Sequence, residues 1–158
     1  MKTDGPESRR ILDTNVLLYA HDTHDPARQE RALSVLERAG LTAGSAVTGQ
    51  VLAEFASAAI RRLPEPLTPT EAQVQVALLA HGFTTFSVTP TCIMEALRGV
   101  HMYQLSFWDA LIWATAQENR VPLILTEDLP GGRDSVETVR YLNPLAPSFD
   151  VARIGADL

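Results

Sequence analysis

Two rhythms of apolar residues alternate along the chain. Short runs such as Ile11–Leu12 and Leu123–Leu125 are apolar without a break, as strands buried on both faces are. Between them, apolar residues return every three or four positions, as on one stripe of a helix. In chain order, RRILDTN is a short strand entering a polar turn, and VLLYA continues as a short helix. Asp25 caps and Pro26 opens a helix that Gly40 stops. Leu41 to Val47 is a weaker second strand. Thr48 caps a helix over TGQVLAEFASAAIRR, which ends before Pro64. PEPLTP is a turn-rich link, and Thr68 or Thr70 starts a helix ending at Gly82. FTTFSV has the aromatic and β-branched content of a third strand. TPTCIMEALRGVHMYQ is a further helix, predicted to break at Gly99 or just after. Ser106 opens a helix running to about Asn119, VPLILT is a fourth strand, EDLPGG is a turn, and SVETVRYL is a last strand.

Strands that alternate with helices predict an α/β fold with a mainly parallel sheet covered on both faces and right-handed crossovers. The 158 residues suit one domain and a core that needs no staples. That domain is expected over residues 9–147, with a polar N-terminal tail at 1–8 and a C-terminal tail at 148–158. Hydrophobic content of 46% against 20% charged excludes a disordered chain. The lone Cys92, beside Ile93 and Met94, is expected to be buried and inert, and nothing suggests an oxidising compartment. The opening MKTDGPESRR has no apolar signal core, and no run reaches the roughly 20 apolar residues of a membrane span. A cytoplasmic protein without membrane contact is expected. The net charge of −6 argues against a broad basic surface that grips nucleic acid by phosphate contacts alone. A bound divalent cation would reverse that field locally.

The acids make a metal site worth asking for. In an open α/β sheet, ligands bind beyond the carboxyl ends of the strands. Asp13 ends the first strand, and Asp128, with Glu127 beside it, follows the fourth. Glu54 lies in the second turn of the helix after the second strand, and Asp109 in the first turn of its own helix. Asp109 also shares a helical stripe with Ile112, Trp113 and Ala116, an odd address for a carboxylate. Each acid has a plain alternative. Ser106 with Asp109 is a helix cap, Asp13 with Asn15 is an Asx turn, Glu54 is a solvated flank, and Glu127-Asp128 is a surface turn. Two carboxylates about 5 Å apart repel by roughly 3 kcal/mol at an effective dielectric of 20, so four clustered acids cost on the order of 10–20 kcal/mol. A domain has only about 5–15 kcal/mol of stability. Such a cluster must take up protons or bind a cation, and oxygen-only ligands favour Mg²⁺ or Mn²⁺ over zinc.

The segments ILDTNVLLYA (11–20), VLAEFASA (51–58), LSFWDALIWATA (105–116) and LILTEDLPGG (123–132) together resemble the PIN-domain ribonucleases, most closely the VapC-like toxins of toxin–antitoxin pairs. The likeness covers roughly residues 9–145. It implies a three-layer α/β/α sandwich that hydrolyses RNA with Mg²⁺ or Mn²⁺, by metal-activated water, leaving 5′-phosphate and 3′-hydroxyl ends. By matching position, Asp13, Glu54 and Asp109 would be the core acidic ligands. Asp128 would be the more variable fourth acid, with Glu127 its ambiguous neighbour. Thr14 and Asn15 would orient the first acid by hydrogen bonds, Thr126 would do likewise at the other strand end, and Ser106 matches a helix-start hydroxyl. The resemblance also implies a homodimer and an antitoxin partner that blocks the acidic site.

Other residues attract attention for chemistry but carry plainer readings. His21 and His24 stand three apart without further ligands. Trp113 belongs to the core, whereas Trp108 could stack a base. Arg9, Arg10, Arg61, Arg62 and Arg98 could touch RNA phosphates or be solvated charges. RALSVLERA is a dimer face or ordinary packing. Two other classes compete. A haloacid-dehalogenase-type phosphotransferase also places an Asp after its first strand, but needs D-x-D where this chain has Asp13-Thr14-Asn15, and no matching lysine is evident. A non-catalytic acidic α/β binding module is the other. Within the nuclease reading, RNA maturation or DNA processing stands beside the toxin.

Overall fold

The sheet forms where the sequence is most apolar. In the computed structural model, which describes residues 9–156, Arg10–Leu12 forms β1 and Leu123–Leu125 forms β4. They pair in parallel, with Ile11 opposite Ile124 and Leu12 opposite Leu125, all four buried. Beyond β1 lie β2 (Ser45–Thr48) and then β3 (Thr84–Phe86). Beyond β4 lie β6 (Val139–Leu142) and then β5 (Ser135–Val136). The order is β3-β2-β1-β4-β6-β5, parallel except for β5. Helices flank this sheet, as the alternation of patterns predicts: α1 (Thr14–Tyr19), α2 (Pro26–Gly40), α3 (Gly49–Ala59), α4 (Pro69–Gly82), α5 (Pro90–Tyr103) and α6 (Phe107–Glu118). Among the described residues, no helix is long and apolar enough to cross a membrane.

Each of these helices starts on an Asp, Thr or Ser whose side chain accepts a first-turn N–H: Asp13, Asp25, Thr48, Thr68, Thr89 and Ser106. Thr68 rather than Thr70 caps α4, because Glu71 completes a reciprocal capping box with it. On α3 the buried Val51, Phe55, Ala58 and Ala59 make the stripe that meets the sheet. Burial of Phe55 alone is worth about 1.5–3 kcal/mol. α2 buries Ala32, Val35 and Ala39, so RALSVLERA is a packing face.

The structure departs from the sequence pattern in three places. α5 does not break at Gly99 but runs on to Tyr103, ending at Gln104 in the left-handed conformation (φ 57°). Gly99 serves packing instead, since a Cβ there would lie 2.9 Å from the Trp113 ring. SVETVRYL is not one strand but a hairpin, turned at Glu137 (φ 51°). The strand expected over Leu41 to Val47 begins only at Ser45, and Leu41 is exposed. After Pro147, Ile154 is fully buried, and Arg38 Nε on α2 donates to its carbonyl at 2.9 Å. Arg31, also on α2, donates to the Phe149 carbonyl. Residues 148–156 therefore pack on the domain, while the proposed tail at 1–8 lies outside the described residues, as do 157–158.

This strand order sets the place of a ligand site. From β1 the chain moves outward to β2 and β3, then crosses back to β4 on the other side of β1. The loops leaving β1 and β4 diverge, so a crevice opens between their carboxyl ends. Asp13 and Thr126 are the first residues past those ends, and the Asp13 N–H still donates to the Leu125 carbonyl at 3.0 Å.

Candidate active site

Asp13 is held at both oxygens. Oδ1 accepts the Thr14 N–H at 2.7 Å, and Oδ2 accepts the buried Thr126 hydroxyl at 2.8 Å. The Thr126 oxygen in turn accepts from Asn15 Nδ2 and from the Asp128 N–H, each at 3.1 Å. The Asn15 Oδ1 accepts the Glu127 N–H at 3.3 Å, which fixes the orientation of the amide. Thr126 thus bonds Asp13 directly, and Asn15 reaches it only through the Thr126 oxygen. Thr14 contributes its backbone N–H, while its own hydroxyl is buried without a partner among the described residues.

Glu54 is steered from one turn back on α3. Gln50 Nε2 donates to Glu54 Oε1 at 2.6 Å and to the Trp108 carbonyl at 3.0 Å. Both partners are acceptors, so the amide cannot be reversed, and Gln50 Oε1 stays buried without a donor among the described residues. Gln50 is a site residue that sequence reasoning missed. The signal was its i, i+4 spacing to Glu54. Asp109 accepts the Ser106 hydroxyl at 2.7 Å, while its N–H donates to the same oxygen at 3.1 Å. The cap and the site are one arrangement. Ile112, Trp113 and Ala116 carry the stripe into the core, and Asp109 sits, part-exposed, where the helix emerges.

The paired acids after β4 separate into two roles. Arg28 of α2 forms an ion pair with Glu127 and lies 4.3 Å over the Tyr19 ring. Burial, then the hydrogen bond to Glu127, raises the Tyr19 phenol above its ordinary range. Glu127 is thereby turned toward α1 and α2. Asp128 is exposed and joins Asp13, Glu54 and Asp109 on the wall of one open cleft of about 760 Å³. The Arg28–Glu127 contact spans 99 residues and has no sequence signature.

Electrostatics single out Asp13. Burial raises its carboxyl to about 6 against the pull of the Thr126 and Thr14 hydrogen bonds, with Glu54 and Asp109 adding to the rise. The same field reaches Tyr141 of β6. Burial, with Asp109 and Asp13 adding, pushes the Tyr141 phenol far above its ordinary range, and its hydroxyl is buried with no partner among the described residues. Four carboxylates therefore share a cleft, yet among the described residues no three of the acids close on a single point as ligands of an ion. The reason is visible in the bonds above: Asp13, Glu54 and Asp109 each accept from a neutral donor of their own. The donor set still suits a hard divalent cation. It is all oxygen, and the orphaned Thr14 Oγ1 and Gln50 Oε1, both on residues lining the cleft, suit a hydrated ion's field. His21 and His24 do not contribute. The His21 ring packs 5.3 Å from Phe55, and neither belongs to a metal-holding group among the described residues. Cys92 is buried, with Sγ 2.8 Å from a Glu118 oxygen.

The architecture is that of an open, mainly parallel α/β sandwich with acids gathered at the switch point of its sheet, the place where such sheets bind ligands. The particular family follows from comparison: the model of the PIN domain matches residues 10–129, and the chain belongs to that family of nucleases. No curated protein sequence matches. Among solved structures, the chain is similar to one from a toxin–antitoxin complex of Klebsiella pneumoniae (TM-score 0.63, 18% identity, 85% of this chain and 97% of that one). It is likewise similar to a chain in the crystal structure of VapBC2 from Rickettsia felis bound to a DNA fragment from their promoter (TM-score 0.60, 16% identity, 85% and 97%). At these identities the likeness is one of fold.

Proposed function

We propose that the chain is a Mg²⁺- or Mn²⁺-dependent ribonuclease and the toxin of a toxin–antitoxin pair. The observation that carries this is the joining of Asp13, Glu54, Asp109 and Asp128, from four remote segments, on one cleft wall. Asp13, its carboxyl raised to about 6 by burial and by Glu54 and Asp109, has no cationic partner among the described residues. When bound, the ion supplies an activated water and neutralises charge on the scissile phosphate. The chain supplies orientation. Thr126, Asn15 and the Thr14 N–H hold Asp13, Gln50 holds Glu54, and Ser106 holds Asp109. No side-chain nucleophile is needed. The four acids are the proposed metal ligands.

The toxin assignment is supported by the fold shared with chains of toxin–antitoxin complexes. A basic side chain of an antitoxin would complement the acidic cleft and exclude the substrate. A homodimer is supported by Ile93, Met94 and Leu97, exposed together on one side of α5. The test is direct. Purified protein should cleave RNA with Mn²⁺, and the activity should vanish with chelator and with Asp13→Ala. Growth should fail when the chain is expressed alone and recover with the product of the neighbouring reading frame. RNA left intact under all metal conditions would overturn the enzyme and favour a binding module.

A further inference from the structure

The acids and the ion they would hold account for the chemistry of one phosphate, but not for the rest of the cleft. Its walls also include Leu18, Val88, Leu111 and Ile112, which offer nothing to a phosphate. Two cleft residues are conspicuous. Trp108 is 58% exposed, although a large apolar ring is normally hidden. It is not loose. Its carbonyl is tied to Gln50, and its ring stands edge-on to Phe107 at 5.3 Å, so an indole face is presented in a fixed place one residue before Asp109. The second is Arg62. Of the five arginines with a possible phosphate role, it alone lines the cleft. Arg10 is buried in β1, Arg98 is paired with Glu95 and Glu137, Arg61 bonds to Ser57, and Arg9 reaches the Asn119 carbonyl. Arg62 makes no ion pair or side-chain hydrogen bond among the described residues, despite sharing the cleft with four carboxylates. It lies in the turn just past the end of α3, the helix that carries Glu54, and is left available to an anionic ligand.

We infer that Trp108 and Arg62 form a substrate subsite for a single-stranded stretch of RNA, Trp108 stacking an unpaired base beside the acids and Arg62 binding a phosphate further along the strand. The identity of the polymer rests on the ribonuclease reading; the subsite itself rests on the ring, the cation and the apolar wall. A duplex keeps its bases stacked inside and offers Trp108 no face, whereas a single strand can splay one into an open cleft. The net charge of −6 requires such binding to be local, through one placed cation and one ring, and not through a general basic surface.

The experiment measures binding apart from cleavage. A short fluorescein-labelled RNA strand is titrated in chelator, and the same strand is then used as substrate with Mn²⁺. Trp108→Ala should weaken binding of the single strand about tenfold to a hundredfold, and Trp108→Phe should recover most of it. Arg62→Ala should weaken binding and reduce the slope of log Kd against log salt by about 0.7. A duplex of the same sequence should bind weakly and be indifferent to Trp108→Ala. Binding that is unchanged in Trp108→Ala, or a duplex held as tightly as the strand, overturns the subsite even if cleavage proceeds. Trp108-dependent binding without any cleavage would retain the subsite and overturn the nuclease reading instead.

Discussion

Thr126 and Asp13 stand 113 residues apart, and the Thr126 hydroxyl donates to Asp13 Oδ2 at 2.8 Å across the crevice between β1 and β4. A hydroxyl has one hydrogen and two lone pairs. All three are committed here, to Asp13, Asn15 and the Asp128 N–H. One buried oxygen therefore sets the orientation of the first acid and the path of the turn that carries the fourth. Thr126→Val keeps the shape, removes the donor from Asp13 and strands two N–H groups. The half-saturating Mn²⁺ concentration for RNA cleavage should rise about tenfold to a hundredfold, the usual cost of losing a residue that orients a ligand. Unchanged metal dependence with full activity would show that the hydroxyl does not position Asp13.

The raised proton affinity of Asp13 predicts how the metal-free protein responds to pH. Its folded-state value of about 6 lies above the ordinary 3.8. The folded chain thus holds this proton more tightly than the unfolded chain does. The stability it contributes is fully present below about pH 4 and is lost as pH rises through 6, a loss of about 3 kcal/mol by pH 7.5. In chelator, the wild-type melting temperature should fall over that window, and Asp13→Asn should flatten the fall and be the more stable protein at pH 7.5. Saturating Mg²⁺ should restore the wild type at pH 7.5 and leave the variant unmoved. An Asp13→Asn curve parallel to wild type would place the titration elsewhere.

The two acids after β4 are separable by substitution. Glu127 is bound to Arg28 and lies outside the cleft lining, whereas Asp128 is on it. Asp128→Asn should lower RNA cleavage tenfold or more, on the order of one lost charge contact of about 1.4 kcal/mol or above. Glu127→Gln should stay within about threefold of wild type, since the part-exposed pair it breaks is worth roughly 1 kcal/mol or less. The reverse ranking in kcat/KM would assign the fourth position to Glu127.

What was legible in the sequence follows from how local each cause is. Helix starts were readable because a cap is made by residues within one turn, as at Asp25 and Thr48. The sheet was readable because Ile11–Leu12 and Leu123–Leu125 are apolar on both faces. The acids were readable because strand ends and helix starts share one rim, so Asp13, Glu54, Asp109 and Asp128 do line one cleft. Their closing on a single ion was not, because Thr126, Gln50 and Ser106 give three of them neutral partners. The division between Glu127 and Asp128 depends on Arg28, which only the packed α2 brings near. The hairpin at Glu137 depends on Tyr103, Arg98 and Gln117, which converge on that carboxylate from α5 and α6.

Gly99 shows the same limit and supplies a test remote from the cleft. Read locally, a glycine at that point ends a helix, and Gly99→Ala in a helix interior should add about 1 kcal/mol of stability. The structure reverses the sign. The new Cβ would stand 2.9 and 3.1 Å from two carbons of the Trp113 ring and 3.4 Å from Ala110 Cβ. The ring cannot swing away. Its Nε1 donates to the Val136 carbonyl at 3.2 Å, Tyr103 packs edge-on at 5.8 Å, and the Arg98 guanidinium lies 5.2 Å over it. Overpacking of this kind costs about 1–3 kcal/mol, so the net effect is a loss of about 1 kcal/mol and a melting temperature lower by about 2–4 °C. Denaturant midpoints of the two proteins measure it. RNA cleavage per folded molecule should be unchanged, because no acid moves. A Gly99→Ala protein more stable than wild type would mean that α5 and α6 can part without cost, and that the close approach of backbone to indole does not fix their spacing.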